Sequence, residues 1–159
     1  MNKTYLLLGS NIGNTAARLK KAKELISVYI GNIKRESSLY TTAAWGNTQQ
    51  PDFLNQVIIL ETQLSPENVM ESILDIEKKM GRIRTKKYDP RIIDIDILFY
   101  EKKMINTPQL SVPHPQIANR RFVLVPLNEL SPNLIHPALK KTIHQLLRVC
   151  PDTLTVNKI

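Results

Sequence analysis

The stretch Ile92–Tyr100, with the sequence Ile-Ile-Asp-Ile-Asp-Ile-Leu-Phe-Tyr, constrains the fold more than any other part of this chain. It is rich in β-branched and aromatic residues and contains no Gly or Pro, which predicts a strand. Because side chains alternate between the two faces of a strand, Asp94 and Asp96 should share one face. The other face would carry four apolar residues directed into the core: Ile93, Ile95, Ile97 and Phe99.

Two neighbouring carboxylates on such a strand need a counter-charge, because like charges disfavour joint ionisation. A divalent cation removes that penalty, and Mg²⁺ is usually held by one or two carboxylates together with substrate phosphates. A basic segment lies just upstream and could contact such phosphates. Its cationic residues are Arg82, Arg84, Lys86, Lys87 and Arg91. This combination is typical of phosphoryl-transfer sites.

Each of these features also has a simpler interpretation. An Asp-x-Asp pair can be the solvated face of an edge strand, and a basic run is usually a solvated loop. We favour the functional interpretation because both features fall within one short span.

Length, composition and charge limit the domain organisation, the partners and the cellular compartment that this chain can have. The 159 residues, 42% of them hydrophobic, suffice for one globular domain over 1–159 that buries ~70% of the unfolded chain's surface. The net charge of +8 favours an anionic partner such as a nucleotide, a nucleic acid or a membrane surface. Cys150 is the one cysteine, which excludes a disulfide within the chain and suits a reducing compartment. No apolar run approaches the ~20 residues of a membrane span, so we expect a cytoplasmic protein.

Hydrophobic periodicity and breakers predict an α+β fold. Strands are predicted over 3–8, 33–40, 53–60 and 92–100, with a short one at 104–105, and helices after Asn14, after Ser65 and over 142–149. This order of two βαβ units predicts a ferredoxin-like core, in which helices pack on one face of an antiparallel sheet, with additional C-terminal elements.

Three other segments have less regular patterns. The run Gly9–Asn14 is interpreted as a tight turn after the first strand. Three prolines predict an irregular segment over 108–115, and Pro126 predicts that a helix-like run over 119–130 is short or broken.

Several single residues remain ambiguous on their own. Asn55, flanked on its face by Phe53 and Val57, suits either the polar handle of an apolar pocket or a strand end that meets water. Trp45 is either an anchor on the core or a ligand contact. Taken alone, Glu77 is typical of an exposed acid and His114 of a structural histidine.

Six segments spread over nearly the whole chain occur together in one known family. They are GSNIG at 9–13, QPDFLN at 50–55, GRIR at 81–84, PRIIDIDIL at 90–98, VPHP at 112–115 and NRRF at 119–122. With them, the chain resembles the 6-hydroxymethyl-7,8-dihydropterin pyrophosphokinases of folate biosynthesis. It departs from that family's usual pattern at Ala44, Tyr88, Asp89 and Gln109.

The resemblance implies transfer of a pyrophosphoryl group from ATP to the hydroxymethyl group of a reduced pterin, with release of AMP. It implies that Asp94 and Asp96 hold two Mg²⁺ ions and that Arg82 and Arg91 act on the triphosphate. Further positions match the family's ATP contacts: Glu77, Arg84, Ile97, Ser111, His114 and Arg120.

For the pterin, the resemblance implies that Phe53 and Phe122 stack on the two faces of the flat ring. Its polar edge would be bound by Asn55 and by the chain at Thr42, Ala43 and Trp45. The loops 43–52 and 82–91 would close over the ligands and exclude water. The partners would then be the two small substrates, with no nucleic acid and no membrane, and we expect a monomer.

Two rival hypotheses remain. An RNA-binding module would share the expected fold core and the basic charge, but the chain lacks an aromatic-rich strand motif, and Asp94 and Asp96 would repel phosphates. A catalytically inactive relative is the second rival, and the presence of both aspartates, Arg82 and Arg91 argues against it.

Overall fold

The computed structural model describes residues 1–43, 50–82 and 92–159. Within these residues the strands are β1 Asn2–Ser10, β2 Gly31–Glu36, β3 Tyr40–Thr42, β4 Phe53–Thr62, β5 Asp94–Tyr100, β6 Ile105–Asn106, β7 Ser111–Val112 and β8 Val156–Lys158. The helices are α1 Thr15–Tyr29, α2 Pro66–Lys79, α3 Arg121–Leu130 and α4 Ile143–Arg148, with a 3₁₀ turn at Ile117–Asn119.

The main sheet is antiparallel and has the strand order β5-β1-β4-β3-β8. Strand β2 also pairs with β4, beside the region that pairs with β3. Strands β6 and β7 form a separate two-stranded ribbon. The predicted class, an antiparallel sheet with packed helices, is confirmed.

The first two helices begin where their sequence signals predict. The Asn14 side chain accepts a hydrogen bond from the Ala17 N–H (3.1 Å) at the start of α1. Ser65 does the same for the Asn68 N–H (3.2 Å) at the start of α2, where Pro66 is the first helical residue. Both helices then bury one apolar face on the sheet: Leu19, Ala22 and Ile26 from α1, and Val69, Ile73 and Ile76 from α2.

The sheet separates two hydrophobic cores. Leu6 and Leu8 of β1 point towards α1 and α2, while Tyr5 and Leu7 point towards α3 and α4. Strand β1 is therefore buried on both faces, which explains its continuous apolar sequence. The ferredoxin-like helices occupy one face, and the additional C-terminal helices cover the other.

The prediction for Phe99 was wrong about its face. Tyr5 pairs with Phe99 and Leu6 pairs with Ile97, which leaves Leu98 as an extra residue in β5. The irregularity inverts the alternation of side chains. Phe99 therefore lies in the core beneath α3 and α4, whereas Ile97 faces α1 and α2.

The predicted strand over 33–40 is two strands, because Ser37 interrupts the ladder. Its N–H donates to the Val57 carbonyl (2.8 Å), but its hydroxyl, rather than its carbonyl, accepts from the Val57 N–H (3.0 Å). The freed Ser37 carbonyl accepts from the Gln56 side chain (2.8 Å). The chain then resumes pairing as β3.

The C-terminal half differs from prediction at three places. Strand β7 lies within the supposedly irregular proline segment, because Ser111 and Val112 fall between the prolines and keep their N–H groups. Helix α3 continues through Pro126 instead of breaking there. Strand β8 was not predicted at all. In the part of the chain that is described, no helix is long and apolar enough to cross a membrane.

Candidate active site

A row of four residues crosses the sheet at one end of its strands. Asp94 of β5 pairs with Gly9 of β1, Gly9 pairs with Asn55 of β4, and Asn55 pairs with Tyr40 of β3. Directly paired residues of antiparallel strands share a face. The row lies on the face covered by α3, and Asp96 occupies the next position of β5 on that face, opposite Leu7.

Gly9 lets the Asn55 and Phe53 side chains lie close to the backbone of β1. A Cβ at Gly9 would lie 3.0 Å from Oδ1 of Asn55 and 3.6 Å from Cδ1 of Phe53. Sequence reasoning placed Gly9 in a turn, whereas the structure places it within β1. Only the pairing of distant strands reveals that it separates Asn55 from Asp94.

Asn55 is buried, with 2% of its surface exposed. Its Nδ2 atom has no hydrogen-bond partner among the described residues. The alternative of a strand end that meets water is therefore wrong. A buried amide donor without a partner can donate a hydrogen bond to a ligand in a mostly apolar pocket.

The two aromatic rings predicted to stack on the pterin, Phe53 and Phe122, lie in different layers. Phe53 opens β4 beside Gly9 and is half-buried. Phe122 lies in the first turn of α3 and packs against the core beneath that helix. The Arg120 guanidinium lies 5.8 Å from the centre of the Phe122 ring. One ring thus belongs to the sheet and the other to the helical layer that covers it.

Arg82 bridges two carboxylates at the other end of the row. Its Nη1 atom lies 2.7 Å from Oδ1 of Asp94 and 2.6 Å from Oε2 of Glu77. Burial alone would lower the pKa of Arg82, but the charges of Asp94 and Glu77 outweigh it and raise that pKa. Arg82 is thus held as a cation beside the Asp-x-Asp pair.

Glu77 is buried, with 2% of its side chain exposed, so the interpretation as an exposed acid was wrong. Its Oε2 also accepts a hydrogen bond from the Ile95 N–H (2.9 Å). One carboxylate thereby fixes both the Arg82 guanidinium and the backbone of β5 between Asp94 and Asp96. The spacing of Glu77, four residues after Ile73 and eight after Val69, places it on the buried face of α2, and this was the available signal. Its partners could not be read from the sequence, because Ile95 is distant along the chain.

His114 lies close enough to Asp94 and Arg120 for both charges to act on its pKa. Burial, followed by the positive charge of Arg120, lowers the pKa of His114 to about 4, with Asp94 acting in the opposite direction. Its Nδ1 accepts a hydrogen bond from the Gln116 N–H (3.1 Å), so the proton of the neutral ring resides on Nε2. Near pH 7 the ring is therefore a neutral donor beside a cation.

The remaining predicted site residues differ in how far they are buried. Thr42 is buried and its hydroxyl donates to the Thr155 carbonyl (3.3 Å), while Ala43 follows β3 and is half-buried. The Ile97 side chain lies in the core beneath α1 and α2, and the Ser111 hydroxyl contacts Asn106 (3.3 Å). Trp45, Arg84 and Arg91 lie outside the described residues.

A polar clamp joins α3 to the sheet and was missed by sequence reasoning. Glu129 accepts hydrogen bonds from the Tyr40 hydroxyl (2.6 Å) and the Ser38 N–H (3.0 Å). Burial and the neighbouring Glu129 raise the pKa of Tyr40 to about 12. Burial would raise the pKa of Glu129, but the bonds from Tyr40 and Ser38 outweigh it and lower that pKa. The far end of α3 is thereby fixed on β3.

The donor chemistry of Asp94 and Asp96 fits a hard divalent cation, since both offer carboxylate oxygens from one face of β5. Among the described residues, no group of three or more His, Cys, Asp or Glu side chains is arranged to hold a metal ion.

Comparison with known proteins shows the family of this chain. Residues 5–132 match the family model for 7,8-dihydro-6-hydroxymethylpterin-pyrophosphokinase (HPPK). A 2-amino-4-hydroxy-6-hydroxymethyldihydropteridine pyrophosphokinase of Methylorubrum extorquens is 42% identical over 136 residues, which cover 85% of this chain and 86% of that protein. An enzyme of the same name from Aquifex aeolicus is 40% identical over 145 residues, covering 91% and 90% of the two chains.

Solved structures of longer proteins contain the same fold. A crystal structure of Plasmodium falciparum HPPK-DHPS has a TM-score of 0.78 with 21% identity and covers 92% of this chain. This chain spans 45% of that larger protein.

The chain belongs to the HPPK family. It is an enzyme of the pyrophosphokinase class, as its sequence predicts.

Proposed function

We propose that this chain transfers the pyrophosphoryl group of ATP to the hydroxymethyl group of 6-hydroxymethyl-7,8-dihydropterin and releases AMP. The names of the Methylorubrum and Aquifex relatives support the pterin substrate. The observation that carries the proposal is the row in which Gly9 separates Asn55 from Asp94.

The spacing of that row suits a flat bicyclic substrate. Neighbouring strands lie ~5 Å apart, so the backbones at Asn55 and Asp94 are roughly 10 Å apart. A pterin bound through its polar edge at Asn55 would direct its hydroxymethyl arm across Gly9 to the carboxylates. Phe53 and Phe122 would stack on its faces. Thr42 and Ala43, with Trp45, would contribute further polar contacts from the adjoining chain.

Cationic side chains would bind ATP. Arg82 and Arg120, with Arg84 and Arg91, would neutralise the triphosphate. The Nε2–H of His114 would donate a hydrogen bond to the nucleotide. Ser111 and the chain at Ile97 would border it, while Glu77 would act by holding Arg82.

In the reaction, the pterin hydroxyl oxygen bonds to the β-phosphorus of ATP, and the bond from that phosphorus to the α,β-bridging oxygen breaks. AMP leaves with the bridging oxygen, and the hydroxyl proton passes to water. Asp94 and Asp96 would hold two Mg²⁺ ions, whose chemistry is to neutralise charge on the phosphate oxygens. Arg82, next to Asp94, would stabilise the charge that develops on the leaving group.

The test is to measure AMP and ADP formed from ATP and Mg²⁺, with and without the pterin. We expect AMP that depends on the pterin. ADP formation, or AMP formation independent of the pterin, would overturn the proposal, as would a folded protein without turnover. We also expect the chain to form one domain and to act as a monomer, and gel filtration of the same sample tests the oligomeric state.

A further inference from the structure

The segment 150–159 contacts both elements that would enclose the proposed pterin pocket. These elements are strand β3 of the sheet and helix α3, which covers it. Strand β8 pairs with β3, with Val156 opposite Thr42 and Lys158 opposite Tyr40. The Thr42 hydroxyl donates to the Thr155 carbonyl (3.3 Å). Strand β8 thereby supports β3, which would form one wall of the pocket. Strand β8 lies beyond residues 5–132, which match the family model.

The same segment caps the helix that carries Phe122. Asp152 is buried, with 8% of its surface exposed, and its Oδ2 accepts a hydrogen bond from the Arg121 N–H (3.0 Å). Its Oδ1 accepts from the Leu154 N–H (3.0 Å), which fixes the carboxylate. Arg121 opens α3 and directly precedes Phe122.

Helix α3 depends on this distant carboxylate, because its own sequence supplies no cap. The side chain at the N-cap, Arg120, makes no capping hydrogen bond, and the first turn of α3 contains no acidic residue. Unpaired N–H groups at a helix start favour an acceptor and a negative charge. Asp152 provides both from 31 residues further along the chain.

We propose that residues 150–159 form a strap that sets the position of Phe122 relative to β3, with Asp152 as a positioning residue for pterin binding. The inference rests on the proposed function. The far end of α3 is already held by Glu129 and Tyr40. The strap fixes the near end, where a small tilt of the helix would move the ring.

The first experiment compares Asp152→Asn with Asp75→Asn, an exposed aspartate of α2, in the full chain. Loss of the charged cap should raise the KM for the pterin roughly fivefold to tenfold. The KM for ATP should stay within a factor of two (about 0.4 kcal/mol). Calorimetric titration of the pterin, with a non-hydrolysable ATP analogue present, should show the same loss without turnover.

A second pair of variants addresses the strand instead of the cap. The Ile159 N–H donates to the Leu39 carbonyl (3.0 Å), and the alternation of an antiparallel ladder then gives Asn157 a hydrogen-bonded pairing with Thr41. Asn157→Pro removes that N–H, whereas Asn157→Ala keeps it. We expect the Pro variant to weaken pterin binding and the Ala variant to match the wild type.

The outcomes of these experiments distinguish failure of the strap proposal from failure of the proposed function. Wild-type protein that makes no pterin-dependent AMP would overturn the function and the strap with it. If the wild type is active, a folded Asp152→Asn with unchanged pterin affinity would overturn the strap alone. Equal weakening of ATP and pterin would also overturn it, because a general loss of structure would explain that result. Should Asp152→Asn fail to fold, the Asn157 pair decides by the same criteria.

Discussion

The Nη1 atom of Arg82 lies 2.7 Å from Oδ1 of Asp94, so the cation is already paired with the acid proposed to hold metal. The same atom contacts Glu77. Arg82 therefore supplies part of the counter-charge that the Asp-x-Asp pair needs. Because Glu77 also contacts the Arg82 guanidinium, it helps to hold Arg82 beside Asp94.

Replacing Glu77 with Ala should destabilise the fold by about 3 kcal/mol, because the Ile95 N–H loses its acceptor and the buried Arg82 guanidinium loses one of the two carboxylates that it contacts. Urea unfolding measures the effect. Glu71→Ala, an exposed acid on the same helix, is the control and should change stability by less than about 0.5 kcal/mol. Similar values for both variants would show that the Arg82–Glu77 pair adds little to stability.

Replacing Asp96 with Asn should lower AMP formation roughly 10²–10³-fold, because the pair loses the charge that would bind the cation. The melting temperature should be nearly unchanged, since Asp96 is half-buried at the edge of the site. The activity assay should be accompanied by a Mg²⁺ titration of nucleotide binding, with Asp75→Asn as the control. A fully active variant would argue against the metal role of Asp96.

Replacing Gly9 with Ala should weaken pterin binding roughly tenfold, because the new methyl group would crowd Asn55 and Phe53 at the pocket floor. Nucleotide binding should be unaffected. Calorimetric titration of each ligand measures both effects.

A double-mutant cycle isolates the contact that Gly9 avoids. Any loss of unfolding free energy caused by Gly9→Ala should shrink when Asn55 is also replaced by Ala, because Oδ1 of Asn55 is then absent. Additive changes in the cycle would mean that the methyl group is accommodated elsewhere.

His136 should make stability depend on pH. Its ring packs edge-on against Phe99, its Nδ1 accepts from the N–H groups of Ala138 and Leu139, and burial lowers its pKa below the ordinary 6.5. The unfolded chain therefore binds a proton first as pH falls. The stability that His136 contributes is fully present above pH 6.5 and is lost as pH falls from 6.5 towards the lower folded pKa.

The variant His136→Asn tests this, because an Asn side chain can accept the same turn N–H groups without titrating. Urea unfolding at pH 7.5 and pH 5 should show a smaller loss of stability in the variant than in the wild type. His144→Asn, at an exposed position of α4, is the control. Equal losses in all three proteins would place the pH dependence elsewhere.

Local signals in the sequence predicted the elements that depend on neighbouring residues. Asn14 and Ser65 cap α1 and α2 as expected, because a cap involves residues three positions apart. The strand Asp94–Tyr100 was predicted from its composition, but the face of Phe99 was predicted wrongly. The extra residue Leu98 arises from pairing with β1, and nothing within β5 specifies that register.

The sequence by itself determined the fold class, the enzyme family and the side chains available for chemistry, because periodicity and motifs are properties of adjacent residues. The tertiary structure decided which of these residues meet. Glu77 is buried by β5, Gly9 separates Asn55 from Asp94, and Asp152 caps α3, each through contacts between distant segments. The physical reason is that burial and the alignment of strands depend on the packing of the whole chain, so their effects on charge and hydrogen bonding emerge only after folding.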